Sequence, residues 1–145
     1  MRQRVPNRAW YSPGRPGRRP RVLVEDHHPA LAISDFSLLQ AAGFDVAYCS
    51  GPGDAPGDCP LVRGQRCDLL AGADAVLHGL DPGLGIATAI RRRHPGIAVM
   101  AKQSRHADGS VEAVPEGCEL LCSECSVKGQ IDALRQALAG RNAHV

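Results

Sequence analysis

From Arg21 onward the apolar and polar positions sort into short β-rich runs separated by stretches of helical period. RVLVE, residues 21–25, is apolar through its centre without alternation, as in a strand covered on both faces. PALAISDFSLLQAAG, 29–43, opens on proline at a first helical turn and stops at Gly43. FDVAYC (44–49), ADAVLH (73–78), GIAVMA (96–101) and CELLCS (118–123) read as four further strands. GLGIATAIRRRH, 83–94, is a helix halted before Pro95, and SVKGQIDALRQALAG, 126–140, is a closing helix with Val127, Ile131, Leu134 and Leu138 at helical spacing. SGPGDAPGD, 50–58, is loop, and the segment after it, CPLVRGQRCDLLAG, has room for one helical turn. The stretch KQSRHADGSVEAVPEG after the fourth strand is too short and too marked by Pro and Gly for a full helix.

Strands alternating with helices make βαβ units, and right-handed crossovers then give a parallel sheet with helices on both faces. The expected architecture is a flavodoxin-like, doubly wound α/β fold with five parallel strands in the order 2-1-3-4-5. Its second and fourth helices are expected to be short or missing. Ligands of such folds sit at the carboxyl ends of the strands.

Composition adds a tail to this domain. Residues 1–20, MRQRVPNRAWYSPGRPGRRP, carry four Pro and two Gly with almost no apolar period, so they are expected to be disordered. The domain proper spans 21–140, and 141–145 form a C-terminal tail. The chain's net charge of +2 hides an asymmetry: residues 1–24 hold seven Arg and no acid, leaving ten bases against fifteen acids in the rest. The sequence GRPGRRPR resembles an Arg-Gly-Arg-Pro minor-groove hook, which makes nucleic acid a candidate partner for residues 1–21. No apolar stretch approaches the roughly 18–20 residues of a membrane span, and the expected location is the cytoplasm.

Three segments then carry a resemblance: VLVEDHHPAL, LLQAAGFDV and IRRRHPGIAVM, in that order. Over about Arg21 to Gly140 the chain resembles the receiver domain of bacterial response regulators. The resemblance implies a Mg²⁺-binding acid pair after the first strand and a phosphoacceptor Asp ending the third. It also implies a Thr or Ser after the fourth strand and a Lys after the fifth. The acid pair falls on Glu25 and Asp26. The acceptor falls on Gly79, between His78 and Leu80; the switch hydroxyl falls on Gln103, next to Ser104; the Lys falls on Glu124, and the Pro after it on Cys125. Glycine supplies no nucleophile, and an acid in the lysine's place repels a phosphoryl group. Asp81 is the one rescue candidate for the acceptor.

The expectation is therefore a non-enzymatic pseudo-receiver acting through a protein partner or as a homodimer. Such a dimer would use the family's face of fourth strand, fifth strand and last helix. In the first helix Ile33 and Phe36 fall where receivers place polar residues, so that helix either presents an apolar strip or has rotated to bury both.

Six cysteines leave an alternative open, a redox- or metal-responsive switch on the same fold. The fold places Cys49, His78, Cys122 and Cys125 at carboxyl strand ends beside Asp26 and His27. Asp26, His78, Cys122 and Cys125 are the candidate ligands for a divalent metal, with Cys122-x-x-Cys125 spaced as a zinc or redox pair. Cys59 and Cys67 are the candidate disulfide, with Cys49 as another partner for Cys59; a 59–67 bridge would be worth about 2–3 kcal/mol. His27 and His28 read as helix-entry residues, His78 as a partly buried histidine with a backbone partner, and His94, His106 and His144 as surface residues. No phosphate-cradling glycine loop, nucleophile elbow or Ser/His/Asp arrangement is present, and no cofactor is expected apart from that metal.

Overall fold

The computed structural model describes residues 19–52, 59–80, 84–102, 118–121 and 127–142. Expectations about residues 1–18, the loop at 53–58, the helix between the fourth and fifth strands and the last three residues lie outside them. Among the described residues nine elements follow in chain order: β1 (Arg21–Asp26), α1 (Pro29–Ala41), β2 (Asp45–Cys49), α2 (Asp68–Ala71), β3 (Ala75–Gly79), α3 (Ile86–Arg93), β4 (Ala98–Lys102), β5 (Glu119–Leu121) and α4 (Val127–Asn142). The strands form one parallel sheet in the order β2-β1-β3-β4-β5, as expected. α2 is a single four-residue turn.

Side chains of a strand alternate between faces, and the two faces bury different sets. Val22, Val24, Val46, Tyr48, Ala75, Leu77 and Met100 pack with Ala32, Phe36 and Leu39 of α1 and Leu134 of α4. On the opposite face Leu23, Ala47, Val76 and Val99 pack with Leu70 of α2 and Ile86 and Ile90 of α3. Double coverage explains the unbroken apolar run of β1, whose six residues are all buried.

Helix α1 starts on Pro29 and ends in a tight reversal, with the Phe44 N–H donating to the Leu39 carbonyl and the Gly43 N–H to Gln40. Gly43 takes φ +98°, a conformation in which a side chain is strained, and this fixes the stop. The helix resolves the alternatives for Ile33 and Phe36 by splitting them. Phe36 is buried on the stripe Ala32, Phe36, Leu39, whereas Ile33 is 58% exposed and Leu38 is exposed beside Ser34 and Ser37. In α4, Gly140 was expected to end the helix. It keeps a negative φ with open space around it, and the helix runs on to Asn142.

Candidate functional site

The pairing register assembles the carboxyl edge. Asp26 at the end of β1 faces Gly79 at the end of β3, and one rung earlier Glu25 lies between Cys49 of β2 and His78 of β3. Ala101 of β4 continues that rung beyond His78. Cys49, Glu25, His78 and Ala101 thus share the face that carries α2 and α3. Gly79 occupies the position opposite the second acid, where the resemblance had placed it.

Glu25 and His78 are each 3% exposed. His78 Nδ1 lies 2.9 Å from Glu25 Oε1, which fits the tautomer that donates its Nδ1 proton to a carboxylate oxygen. This corrects the expectation of a partly buried His78 with a backbone partner. The register explains why: two β-neighbours on one rung meet before either can turn to its own main chain. His78 Nε2 is buried with no hydrogen-bond partner. His94, expected at the surface, is half-buried with its Nε2 likewise enclosed.

Asp26 turns to the main chain instead. Its Oδ1 accepts the His28 N–H at 2.9 Å, which closes the entry to α1, and its backbone carbonyl accepts the Tyr48 hydroxyl at 2.9 Å. Burial pushes the Tyr48 phenol above its ordinary pKa, and the charge of Asp26 adds to the effect. His27 and His28 are exposed helix-entry residues as expected; His27 Nδ1 lies 2.9 Å from the Ser50 carbonyl. Gly51, at φ +79°, lies so close to this edge that a Cβ there would come 2.8 Å from Leu80 and 3.0 Å from His27.

The Cys49 thiol lies beside Glu25 on the β1–β2 rung, and two more thiols share its face. Cys49, Cys59 and Cys67 are free, partly buried and packed on the apolar cluster of the α2/α3 face. The Gly51 N–H donates to Cys49 Sγ at 3.4 Å. Burial, then Glu25, then the neighbouring thiols push the Cys49 pKa up to about 12. Burial also raises Cys67. Such thiols stay protonated at neutral pH, which makes them poor nucleophiles and poor anionic ligands.

Of the expected metal set, Asp26 and His78 fall on adjacent rungs, with His78 committed to Glu25. Cys122 and Cys125 lie outside the described residues, as do Asp81, Gln103, Ser104 and Glu124. Among the described residues no group of three or more His, Cys, Asp or Glu side chains is placed to hold a metal ion. Nor do the residues present fit the Mg²⁺ site that the resemblance implies. Gly79 brings no carboxylate, Glu25 is held by an imidazole, and Asp26 has one oxygen on a backbone N–H.

No family model matches this chain, and no curated protein matches it. Solved structures do. A response regulator receiver domain protein from Clostridium thermocellum superposes with a TM-score of 0.65 at 20% identity, over 87% of this chain and 99% of that one. A response regulator receiver protein from Sinorhizobium medicae gives 0.57 at 21%, over 85% and 97%. An orphan response regulator of H. pylori gives 0.57 at 18%, over 82% and 96%. The chain therefore has the receiver fold, nearly from end to end of those domains. No helix among the described residues is long and apolar enough to cross a membrane.

Proposed function

We propose that this chain is a pseudo-receiver: a cytoplasmic signalling or regulatory module with no catalysis of its own. It acts by contact with a protein partner or a second copy of itself, and it is not phosphorylated where receivers carry their aspartate. The observation that carries this reading is Gly79 at the end of β3, in register with Asp26. Phosphoryl transfer to a carboxylate needs an in-line oxygen nucleophile, a cation to offset the equatorial charge and a cationic group for the product. A glycine in the first of these roles removes the chemistry while leaving the surfaces of the fold in place. Exposed Ile33 and Leu38 on α1 are the apolar positions offered to a partner.

Incubation of the full chain with acetyl phosphate and Mg²⁺, followed by intact-mass measurement, tests the reading. The expected result is an unchanged mass. A stable adduct mapped to Asp81 or any other aspartate would overturn it. Residues 1–21 extend the proposal to nucleic acid, and the test is salt-dependent DNA binding that disappears when residues 1–20 are deleted.

One observation favours a second reading. Cys49, Cys59 and Cys67 come from three separate stretches of chain and gather on one apolar cluster beside Glu25. A disulfide between Cys59 and Cys67 would staple the turn segment to α2 and make the module responsive to oxidation. Mass mapping of thiols after equilibration with oxidised glutathione decides it: a 59–67 bridge supports this reading, and three alkylatable thiols exclude it.

A further inference from the structure

We propose that the Glu25–His78 couple occupies the role of a divalent cation at the acidic edge of the sheet and closes that edge to Mg²⁺. The inference rests on the pseudo-receiver reading and deepens it, because it states what replaced the ion.

A hard octahedral cation requires oxygen ligands at about 2.0–2.1 Å, supplied by one or two carboxylates and several waters in near-ideal geometry. The pocket fails each part of that requirement through a named residue. The carboxylate that would complete the set is missing at Gly79, which faces Asp26 across the β1–β3 pair. Glu25 is 3% exposed, so water has almost no access to it. Its Oε1 is already taken by His78 Nδ1 at 2.9 Å. To reach a cation it would have to abandon that bond, leaving both nitrogens of a buried imidazole without partners, which is unfavourable.

The second nitrogen shows what His78 is kept for. Nε2 is enclosed and bonded to nothing, so the fold draws one polar interaction from this side chain, and it goes to Glu25. Ala101, the next position on the rung, is a small residue with no polar side chain to offer the ring. The result is a cross-strand bond from β1 to β3 at the position where an ion would otherwise tie the two strand ends together. It is always present and needs no ligand.

The test uses the full chain and the metal alone. Mn²⁺ binding is read by loss of the free-ion EPR signal for the wild type, Gly79→Asp, and Gly79→Asp combined with His78→Gln. Gly79 does not have a positive φ, so its backbone accepts an aspartate. Wild type and Gly79→Asp are expected to leave millimolar Mn²⁺ free. The double variant, with Glu25 released, is expected to bind at least about tenfold more tightly than Gly79→Asp. Equal binding by Gly79→Asp and the double variant, or no gain in the double variant, would overturn the proposal.

A measurement on the wild type alone stands even if a variant does not fold. The Nδ1–H resonance of His78 should persist unchanged on adding Mg²⁺; its loss or displacement would overturn the proposal. Zn²⁺ binding that disappears in His78→Gln would also overturn it, by making Nε2 a ligand. The outcome is separable from the reading beneath it. An acetyl phosphate adduct without Mn²⁺ binding defeats only the pseudo-receiver reading, and Mn²⁺ binding without an adduct defeats only this inference.

Discussion

At the amino end of β1, Arg21 reaches Asp45 of β2 at 3.3 Å, and its N–H donates to the Asp74 carboxylate at 2.9 Å just before β3. At the carboxyl end of the same strand Glu25 meets an imidazole, with the Cys49 thiol to one side and a glycine one rung on. Both ends are buried and polar, but the first joins opposite charges on two neighbouring strands and adds a backbone N–H bond to Asp74. The second sets a buried acid against an imidazole across the β1–β3 pair, with a glycine facing Asp26 one rung on. In doubly wound folds the carboxyl edge is where ligands bind, so the amino edge is left free to serve stability alone. Here the amino edge carries a buried ion pair and the carboxyl edge a buried histidine–carboxylate bond.

The amino-end clamp should therefore be the more costly to break. Arg21→Met takes the guanidinium from a buried carboxylate and should lower unfolding free energy by about 3–5 kcal/mol in urea melts. Arg21→Met with Asp45→Leu should recover most of that loss, because the buried charge goes with its partner. A single-variant loss below about 1 kcal/mol would put this pair in the class of surface ion pairs and erase the contrast.

At the carboxyl end His78→Leu should cost about 2 kcal/mol, the range for a hydrogen bond to a charged group, and Glu25→Leu with His78→Leu should come back to within about 1 kcal/mol of wild type. If the His78 variant proved more damaging than the Arg21 variant, the ranking of the two ends would reverse.

How much of this was legible beforehand differs between the strands and the site. The apolar runs and the glycine after α1 predicted the strands and helices α1, α3 and α4, and their alternation gave the strand order through the doubly wound fold, since burial on two faces and a forced positive φ leave direct marks on a sequence. Gly79 was found by counting along β3. The Glu25–His78 bond was missed although its signal was present: aligning Asp26 with Gly79 places Glu25 beside His78 one rung back. A single histidine taken along its own strand does not reveal its neighbour across a sheet. The Arg21, Asp45 and Asp74 cluster was missed for the same reason, with partners 24 and 53 residues apart in the chain. For α1, period alone could not separate Ile33 from Phe36; the placement of Ala32 and Leu39 under the sheet decides it.

A smaller effect sharpens the contrast through pH. Cys49 has an ordinary pKa near 9.0 and is pushed up to about 12 by burial and by Glu25. The folded state thus holds its proton between those values while the unfolded chain releases it. The corresponding stability is complete below pH 9 and is lost as pH rises toward 12. By pH 10 wild type should have lost about 1 kcal/mol relative to its value at pH 8, beyond any loss shown by Cys49→Ala in parallel urea melts. Identical pH profiles would mean that the carboxyl edge is open to water. Alkylation of Cys49 by iodoacetamide should correspondingly be slow at pH 8 and rise about tenfold per pH unit.

The smallest effect belongs to a position outside both polar ends, and it decides whether α1 is set as described. Ile33 is 58% exposed, while Phe36 three residues on lies in the core. Ile33→Asp should change unfolding free energy by no more than about 0.5 kcal/mol. Phe36→Ala in the same helix should cost about 3 kcal/mol. Were the helix rotated so that both faced inward, the aspartate would be buried without a partner and the two losses would converge. If Ile33 instead belongs to a contact face, Ile33→Asp should leave the melt untouched and lower the sedimentation-derived mass of any self-associated form. That combination separates a partner surface from a packing surface on one helix, while His28 and Asp26 still hold its entry at the acidic edge.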